Sequence, residues 1–171
     1  SPRRHRGSMW TKPERFPVCS EKQGGKGNRM QVITTNSAQE TEQLGERLAA
    51  RLTGGEVIAM YGGMGMGKTA FTRGLARGLG IPSGVSSPTF ALVHEYRGRL
   101  TVYHFDMFRV SGWDDLYSTG FLDYLGDASA VLVIEWSENI ESAVPPEAIR
   151  IEIERGESDS QRIFQIEGID L

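Results

Sequence analysis

The chain has 171 residues, of which 39% are hydrophobic and 24% charged, and its 19 Lys and Arg against 22 Asp and Glu give a formal charge of −3. This length suits one domain with one core, and no apolar run reaches the ~18 residues of a membrane helix, so we expect a soluble protein. The charge is uneven, because residues 1–30 carry eight basic and two acidic side chains whereas the remaining 141 residues carry 11 basic and 20 acidic.

The first 29 residues show no helical or alternating apolar period and contain three prolines, which predicts a disordered basic extension ahead of one domain over 30–171. An expression remnant around residues 7–9, a natural start at Met30 and a basic arm that contacts RNA are alternative explanations. No apolar segment characteristic of a secretory signal follows the basic residues, and Cys19 is the only cysteine. Both observations favour a cytoplasmic protein, and the acidic domain argues against extensive nucleic-acid binding by the folded part.

The domain begins with a predicted strand and a capped helix. Residues 31–35 are typical of a short strand, and Ser37 with Glu40 fits a capping box in which Glu40 accepts from the backbone N–H of the cap. The helix carries leucines at every fourth position, Leu44, Leu48 and Leu52. A glycine pair at residues 54–55 then predicts its end.

The rest of the chain alternates apolar strands with helices and ends in strands of period two. In chain order, the elements are a strand over 57–61, a helix from about Lys68 to Leu79, a hairpin of strands over 90–96 and 100–105, one or two short helices within 111–124, a strand over 130–134, and an antiparallel pair over 149–154 and 163–167. The fully apolar strands favour a parallel sheet buried on both faces. The sequence therefore predicts a three-layer α/β domain with a mixed parallel and antiparallel sheet.

A glycine-rich segment between the strand over 57–61 and the next helix matches G-x-x-x-x-G-K-[ST]. Its backbone N–H groups and the helix N-terminus suit phosphate binding, Lys68 would reach the β- and γ-phosphates, and the Thr69 hydroxyl would coordinate Mg²⁺. The residues expected to bind the nucleotide are Gly62, Gly63, Met64, Gly65, Met66, Gly67, Lys68, Thr69 and Ala70. This spacing, in its strand–loop–helix context, predicts a P-loop NTPase-like domain.

Two acids occupy the strand ends where a nucleotide hydrolase or kinase needs carboxylates. Asp106 and Glu135 each follow a predicted apolar strand, from which they could hold Mg²⁺ or order a water molecule. Thr89 lies in a polar loop where nucleotide switches place a threonine that senses the γ-phosphate. We expect His104 to be a half-buried strand residue and Trp136 to be a packing residue.

The order of these motifs resembles the bacterial TsaE family, formerly YjeE. The segments that carry the resemblance are Leu44-Gly45-Glu46, the phosphate loop with Thr72-Arg73-Gly74, Val85-Ser86-Ser87-Pro88-Thr89-Phe90, Tyr103-His104-Phe105-Asp106 with Arg109, and Ile134-Glu135-Trp136. The chain departs from the family at the second loop position, where Gly63 stands in place of an acid, and at residues 64–66, where Met-Gly-Met stands in place of Leu-Gly-Ala. The additional glycine would increase the entropy lost when the loop orders around a nucleotide.

The resemblance implies an ATPase of the machinery that makes N6-threonylcarbamoyladenosine at adenosine 37 of tRNA, with ATP and Mg²⁺ as cofactors. It implies that Thr69 and Glu135 hold Mg²⁺, that Asp106 supports the metal or the attacking water, that Thr89 belongs to a switch-like loop, and that Trp136 packs beside the site and reports nucleotide occupancy. The implied partners are the proteins TsaD and TsaB, which carry the transfer chemistry and bring tRNA to the complex.

Three other functions share a phosphate loop. A small-molecule or nucleoside kinase would use an arginine-rich lid, whereas the arginines after Glu135 lie on or beside the final strands at positions 150, 155 and 162. A GTPase would carry an N-K-x-D motif, which this sequence lacks. A nucleotide-regulated binding module without useful turnover is the remaining alternative.

Overall fold

The computed structural model describes residues 30–62, 67–82 and 93–171. Their helices and strands are, in chain order, β1 (Gln31–Thr35), α1 (Ala38–Ala49), β2 (Val57–Tyr61), α2 (Lys68–Gly78), β3 (Val93–Arg97), β4 (Thr101–Asp106), α3 (Trp113–Thr119), α4 (Phe121–Tyr124), β5 (Ala130–Glu135), a 3-10 helix (Ser137–Ala143), β6 (Ile149–Arg155) and β7 (Arg162–Glu167). The predicted basic extension over 1–29 lies outside the described residues and stays a prediction.

The strands form one seven-stranded sheet in the order β1-β7-β6-β2-β5-β4-β3. The four central strands β6, β2, β5 and β4 are parallel, and antiparallel strands extend the sheet at both edges. The mixed α/β sheet predicted from the sequence is therefore confirmed. Because β2 and β5 lie at the centre, every residue of both strands is buried, as their uninterrupted apolar sequences require.

Helices cover both faces of the sheet, which gives three layers. On one face, apolar residues of α1 and α2 pack against alternate residues of the central strands, including Leu44, Leu75, Ile58 and Val133. On the other face, α3, α4 and the 3-10 helix enclose a second core around Phe105. Because side chains alternate along a strand, residues 104 and 106 of β4 lie on the face that α1 and α2 cover.

The start of α1 forms the predicted capping box with one change of partner. The backbone N–H of Glu40 donates to Ser37 Oγ at 3.1 Å, as expected. The Glu40 carboxylate accepts from the backbone N–H of Asn36 at 2.5 Å, so the prediction that it accepts from Ser37 was wrong by one residue. The cap still satisfies two backbone donors at this helix start.

No helix among the described residues combines the length and apolar character needed to cross a bilayer. The longest of them, α1, has 12 residues.

Candidate nucleotide site

The predicted phosphate loop leaves the carboxyl end of β2, at the centre of the parallel strands. Gly62 and Gly67 border it, with φ angles of 123° and 92°, in the left-handed region that favours glycine. Gly67 is directly followed by α2, whose first three residues are Lys68, Thr69 and Ala70. The four loop residues between these glycines, Gly63, Met64, Gly65 and Met66, lie outside the described residues. The described part places the start of α2 where a phosphate group would meet the positive end of the helix dipole.

Lys68 is buried and its ammonium group is held at the mouth of the loop. Its Nζ donates to the Gly62 carbonyl oxygen at 2.8 Å and lies 4.6 Å from the centre of the Trp136 ring. Burial lowers the pKa of Lys68, and the negative charges of Glu135, Glu138 and Asp106 oppose this effect. A phosphate anion would give this ammonium a charged hydrogen-bond acceptor in place of the neutral Gly62 carbonyl.

Asp106 and Glu135 lie side by side at the carboxyl edge of the sheet. They are register partners at the last positions of the parallel strands β4 and β5, and Glu135 is only 4% exposed. The pKa of Asp106 is raised, mainly by burial and also by the negative charge of Glu135. The backbone N–H of Phe108, which donates to Asp106 Oδ1 at 2.9 Å, opposes this rise. Two carboxylates and a buried ammonium thus converge on the phosphate-loop edge, an arrangement that suits a cation held between protein and phosphate oxygens.

His104 is the site residue whose environment the sequence predicted wrongly. The expectation was a half-buried residue, but the side chain is completely buried and its Nε2 lies 3.2 Å from Glu135 Oε2. The burial arises because β3 pairs with β4 along its whole length, so β4 is an internal strand. Strand alternation could have indicated that His104 lies near the site, since it places His104 on the same face as Asp106 two residues later.

Trp136 follows Glu135 in an unusual backbone conformation. Its φ of 59° lies in the left-handed region, where a bulky residue is strained. Its ring packs on Phe108 with centroids 4.9 Å apart, which agrees with the predicted packing role, and the ring also lies against the Lys68 ammonium. The tight turn at Trp136 redirects the chain from β5 into the 3-10 helix.

Asn139 is a further buried polar residue that sequence reasoning missed. Its Nδ2 donates to the carbonyl oxygens of Met107 and Phe108, at 2.9 and 3.1 Å. The contact joins the 3-10 helix after Glu135 to the segment after Asp106. It therefore fixes the two carboxylate-bearing strand ends relative to each other, and no local sequence pattern indicates it.

Thr89 and the polar loop around it lie outside the described residues, so their predicted role stays a prediction. Thr69 is partly buried at the second position of α2.

The family model "Threonylcarbamoyl adenosine biosynthesis protein TsaE" matches residues 35–164. The chain belongs to the TsaE family. The matched segment runs from the last residue of β1 into β7 and includes every described residue of the candidate site.

Individual members of the TsaE family agree with this match. A protein named "tRNA threonylcarbamoyladenosine biosynthesis protein TsaE" from Treponema pallidum is 38% identical over 119 residues, which are 70% of this chain and 87% of the relative. A protein of the same name from Bacillus subtilis is 37% identical over 130 residues, 75% of this chain and 80% of the relative.

A solved structure shares the fold. The crystal structure of YdiB from Bacillus subtilis superimposes with a TM-score of 0.67 at 32% sequence identity, covering 84% of this chain and 88% of that one. The family and the fold class expected from the motif order are thus both confirmed.

Proposed function

We propose that this TsaE-family chain binds ATP with Mg²⁺ and hydrolyses it in support of threonylcarbamoylation of adenosine 37 in tRNA, as a subunit that works with TsaB and TsaD. The observation that carries the proposal is the convergence of Lys68, Asp106 and Glu135 on one edge of the sheet, beside a loop of phosphate-binding sequence. The names of the relatives support the tRNA-modification context.

The donor set at this edge fits Mg²⁺. The Thr69 hydroxyl and the carboxylates of Glu135 and Asp106 are oxygen ligands, which Mg²⁺ prefers, and no group of three or more His, Cys, Asp and Glu able to cage a metal occurs in the described parts of the chain. Mg²⁺ is commonly held by one or two protein groups together with phosphate oxygens and water. In this proposal Thr69 and Glu135 would hold the ion, which would neutralise charge on the phosphates.

The chain's own side chains then have separate tasks. Lys68 exchanges its hydrogen bond to the Gly62 carbonyl for one to a terminal phosphate oxygen, so the buried ammonium acquires an anionic partner. Asp106, whose pKa burial raises, lies next to Glu135 and orients the attacking water. The Trp136 ring covers the ammonium and limits its exposure to water. Positioning and electrostatic stabilisation supply most of the catalysis in such phosphoryl transfer.

Nucleotide binding and hydrolysis are tested with one substitution each. Lys68→Ala should weaken ATP binding by at least about 30-fold in calorimetry, the cost of removing one partner of a buried charge pair. Glu135→Gln should retain ATP binding and lose about 100-fold or more in turnover. Arg51→Ala, at an exposed site just after α1, and Glu167→Gln, at the opposite end of the sheet, are the matched controls. Normal affinity in the Lys68 variant would overturn the site assignment.

The partner context is tested by measuring ATP hydrolysis with and without purified TsaB, TsaD and tRNA. Stimulation by the assembled set, with no small-molecule phosphoryl acceptor present, is the expected result. Phosphate transfer to a nucleoside or another small acceptor, with no response to the partner proteins, would instead support the kinase alternative.

A further inference from the structure

The buried imidazole of His104 is a polar group that the proposed mechanism leaves unused. The side chain is completely buried, and no residue in the described parts of the chain gives either ring nitrogen a hydrogen bond. The Nε2 atom is 3.2 Å from Glu135 Oε2, a suitable distance, but the geometry falls short of a hydrogen bond. A buried polar group without a hydrogen bond destabilises the folded state, so its presence calls for a physical reason.

The position of His104 relative to Glu135 follows from the sheet register. Its register partner on β5 is Val133, so Glu135 is the diagonal neighbour two residues further along the same face. Core packing does not require an imidazole there, because Val131 and Val133 on the same face of β5 are apolar. The polar ring occurs instead where its Nε2 lies 3.2 Å from the carboxylate that we propose binds the metal.

We infer that His104 is a positioning residue for Glu135, an inference that rests on the proposed function. In this role the Nε2–H group donates to Glu135 Oε2 and fixes the orientation of the carboxylate that binds the cation. A small rotation of either side chain aligns the donor, since the two atoms are already within hydrogen-bond distance. Partners that orient a metal-binding side chain in this way commonly change metal affinity by about 10–100-fold.

The test compares three substitutions of His104 that differ in whether a donor reaches Glu135. His104→Gln keeps an N–H near the position of Nε2, His104→Asn is also an amide but is one methylene shorter, and His104→Leu has no donor. His94→Gln is the matched control, because His94 is the register partner of His104 on β3 and its Nδ1 bonds to the Tyr96 hydroxyl at 3.0 Å. The readouts are Mn²⁺ affinity of the protein–ADP complex by electron paramagnetic resonance, ADP affinity in EDTA, and thermal unfolding.

The expected result is a 10–100-fold loss of Mn²⁺ affinity in His104→Asn and His104→Leu, with most of the affinity retained in His104→Gln and all of it in His94→Gln. ADP affinity in EDTA should be unchanged in all of them. If His104→Leu does not fold, the comparison of the Gln and Asn variants still decides, since both place an amide in the same core.

Equal Mn²⁺ affinity in the Gln and Asn variants would overturn the inference, because reach to Glu135 would then have no effect. Wild-type affinity in every folded variant would overturn it too and would leave the proposed function intact. A wild-type chain that binds ADP but no Mn²⁺, or binds no ADP, would overturn the proposed function and this inference with it.

Discussion

The α1–α2 helix pair and the carboxyl edge of β4 and β5 share one face of the sheet but are built on opposite principles. Between the helices, opposite charges form ion pairs. Glu42 Oε1 lies 2.9 Å from Arg73 Nη1, and Glu42 Oε2 lies 2.6 Å from Arg77 Nη2. Glu46 Oε1 lies 3.1 Å from Arg77 Nη1. At the carboxyl edge, Asp106 and Glu135 place like charges next to each other. The helix pair is complete without a ligand, whereas the edge concentrates negative charge that a bound cation would neutralise.

Glycines show the same contrast. In the helix pair, three glycines permit close approach, because a Cβ on Gly45 would lie 2.3 Å from the Phe71 carbonyl oxygen and one on Gly74 only 1.9 Å from that of Glu42. A Cβ on Gly78 would meet that of Ala49 at 2.6 Å. At the carboxyl edge, the residue with a left-handed backbone conformation is Trp136 and not a glycine, so its backbone is strained. Backbone strain and neighbouring carboxylates thus occur together at the candidate site, while the helix pair supplies stability, a division that is common in proteins.

The largest stability change should come from Gly74→Ala. The added methyl group would overlap the Glu42 carbonyl and force α1 away from α2, a cost that exceeds the roughly 1 kcal/mol gained from replacing a helical glycine. We expect a net loss of about 2 kcal/mol or more and a fall in Tm of about 4–8 °C, measured by thermal unfolding.

The control for this substitution is Arg73→Ala, which removes one exposed ion pair at the preceding position. It should change Tm by no more than about 2 °C. A Gly74→Ala variant as stable as the wild type would show that the close approach of the two helices contributes nothing to stability.

Local patterns predicted most of the fold. The apolar runs of β2 and β5 indicated fully buried strands, and Ser37 with Glu40 indicated the start of α1, since these features depend on neighbouring residues alone. The strand order could not be predicted, because it depends on pairings between distant segments, such as the parallel pairing of β6 with β2. The 3-10 helix after β5 was also missed, because it depends on contacts such as that of Asn139 with the segment after β4.

The candidate site divides in the same way. A strand-end rule was enough to predict that Asp106 and Glu135 lie close together, because the carboxyl ends of neighbouring parallel strands meet at one edge. The contact of His104 with Glu135 required the register between β4 and β5 and the covering strand β3, neither of which a single sequence specifies. The contact of Lys68 with Trp136 likewise required the turn that follows β5.

Asp106→Asn should stabilise the nucleotide-free protein, whereas most substitutions destabilise a folded protein. The amide keeps the acceptor for the Phe108 N–H and removes a charge that burial and Glu135 disfavour, so Tm should rise by about 2 °C at pH 7. ATP turnover should fall by about 100-fold if Asp106 orients water.

The higher Tm expected for Asp106→Asn should depend on pH. Because the pKa of Asp106 is raised above its ordinary 3.8 in the folded state, the penalty for its charge is present at neutral pH and disappears as the pH falls toward 3.8. The difference in Tm between variant and wild type should therefore shrink on acidification. A variant less stable than the wild type at every pH would show that the carboxylate is part of the structural framework.

Glu42→Gln should give the smallest effect and one with the opposite pH dependence. The arginines at positions 77 and 73 lower the pKa of Glu42 below its ordinary 4.5, so the stabilisation is present above pH 4.5 and is lost as the pH falls through the lower folded value. The variant should lose roughly 1 °C in Tm at pH 7 and approach the wild type in acid. Glu95→Gln is the control, because Glu95 is 44% exposed, against 15% for Glu42, and its partner Arg97 is 83% exposed. A loss in Glu42→Gln that stays the same from pH 7 to pH 4 would mean that the second acceptor oxygen of the carboxylate, and not its charge, holds α1 against α2.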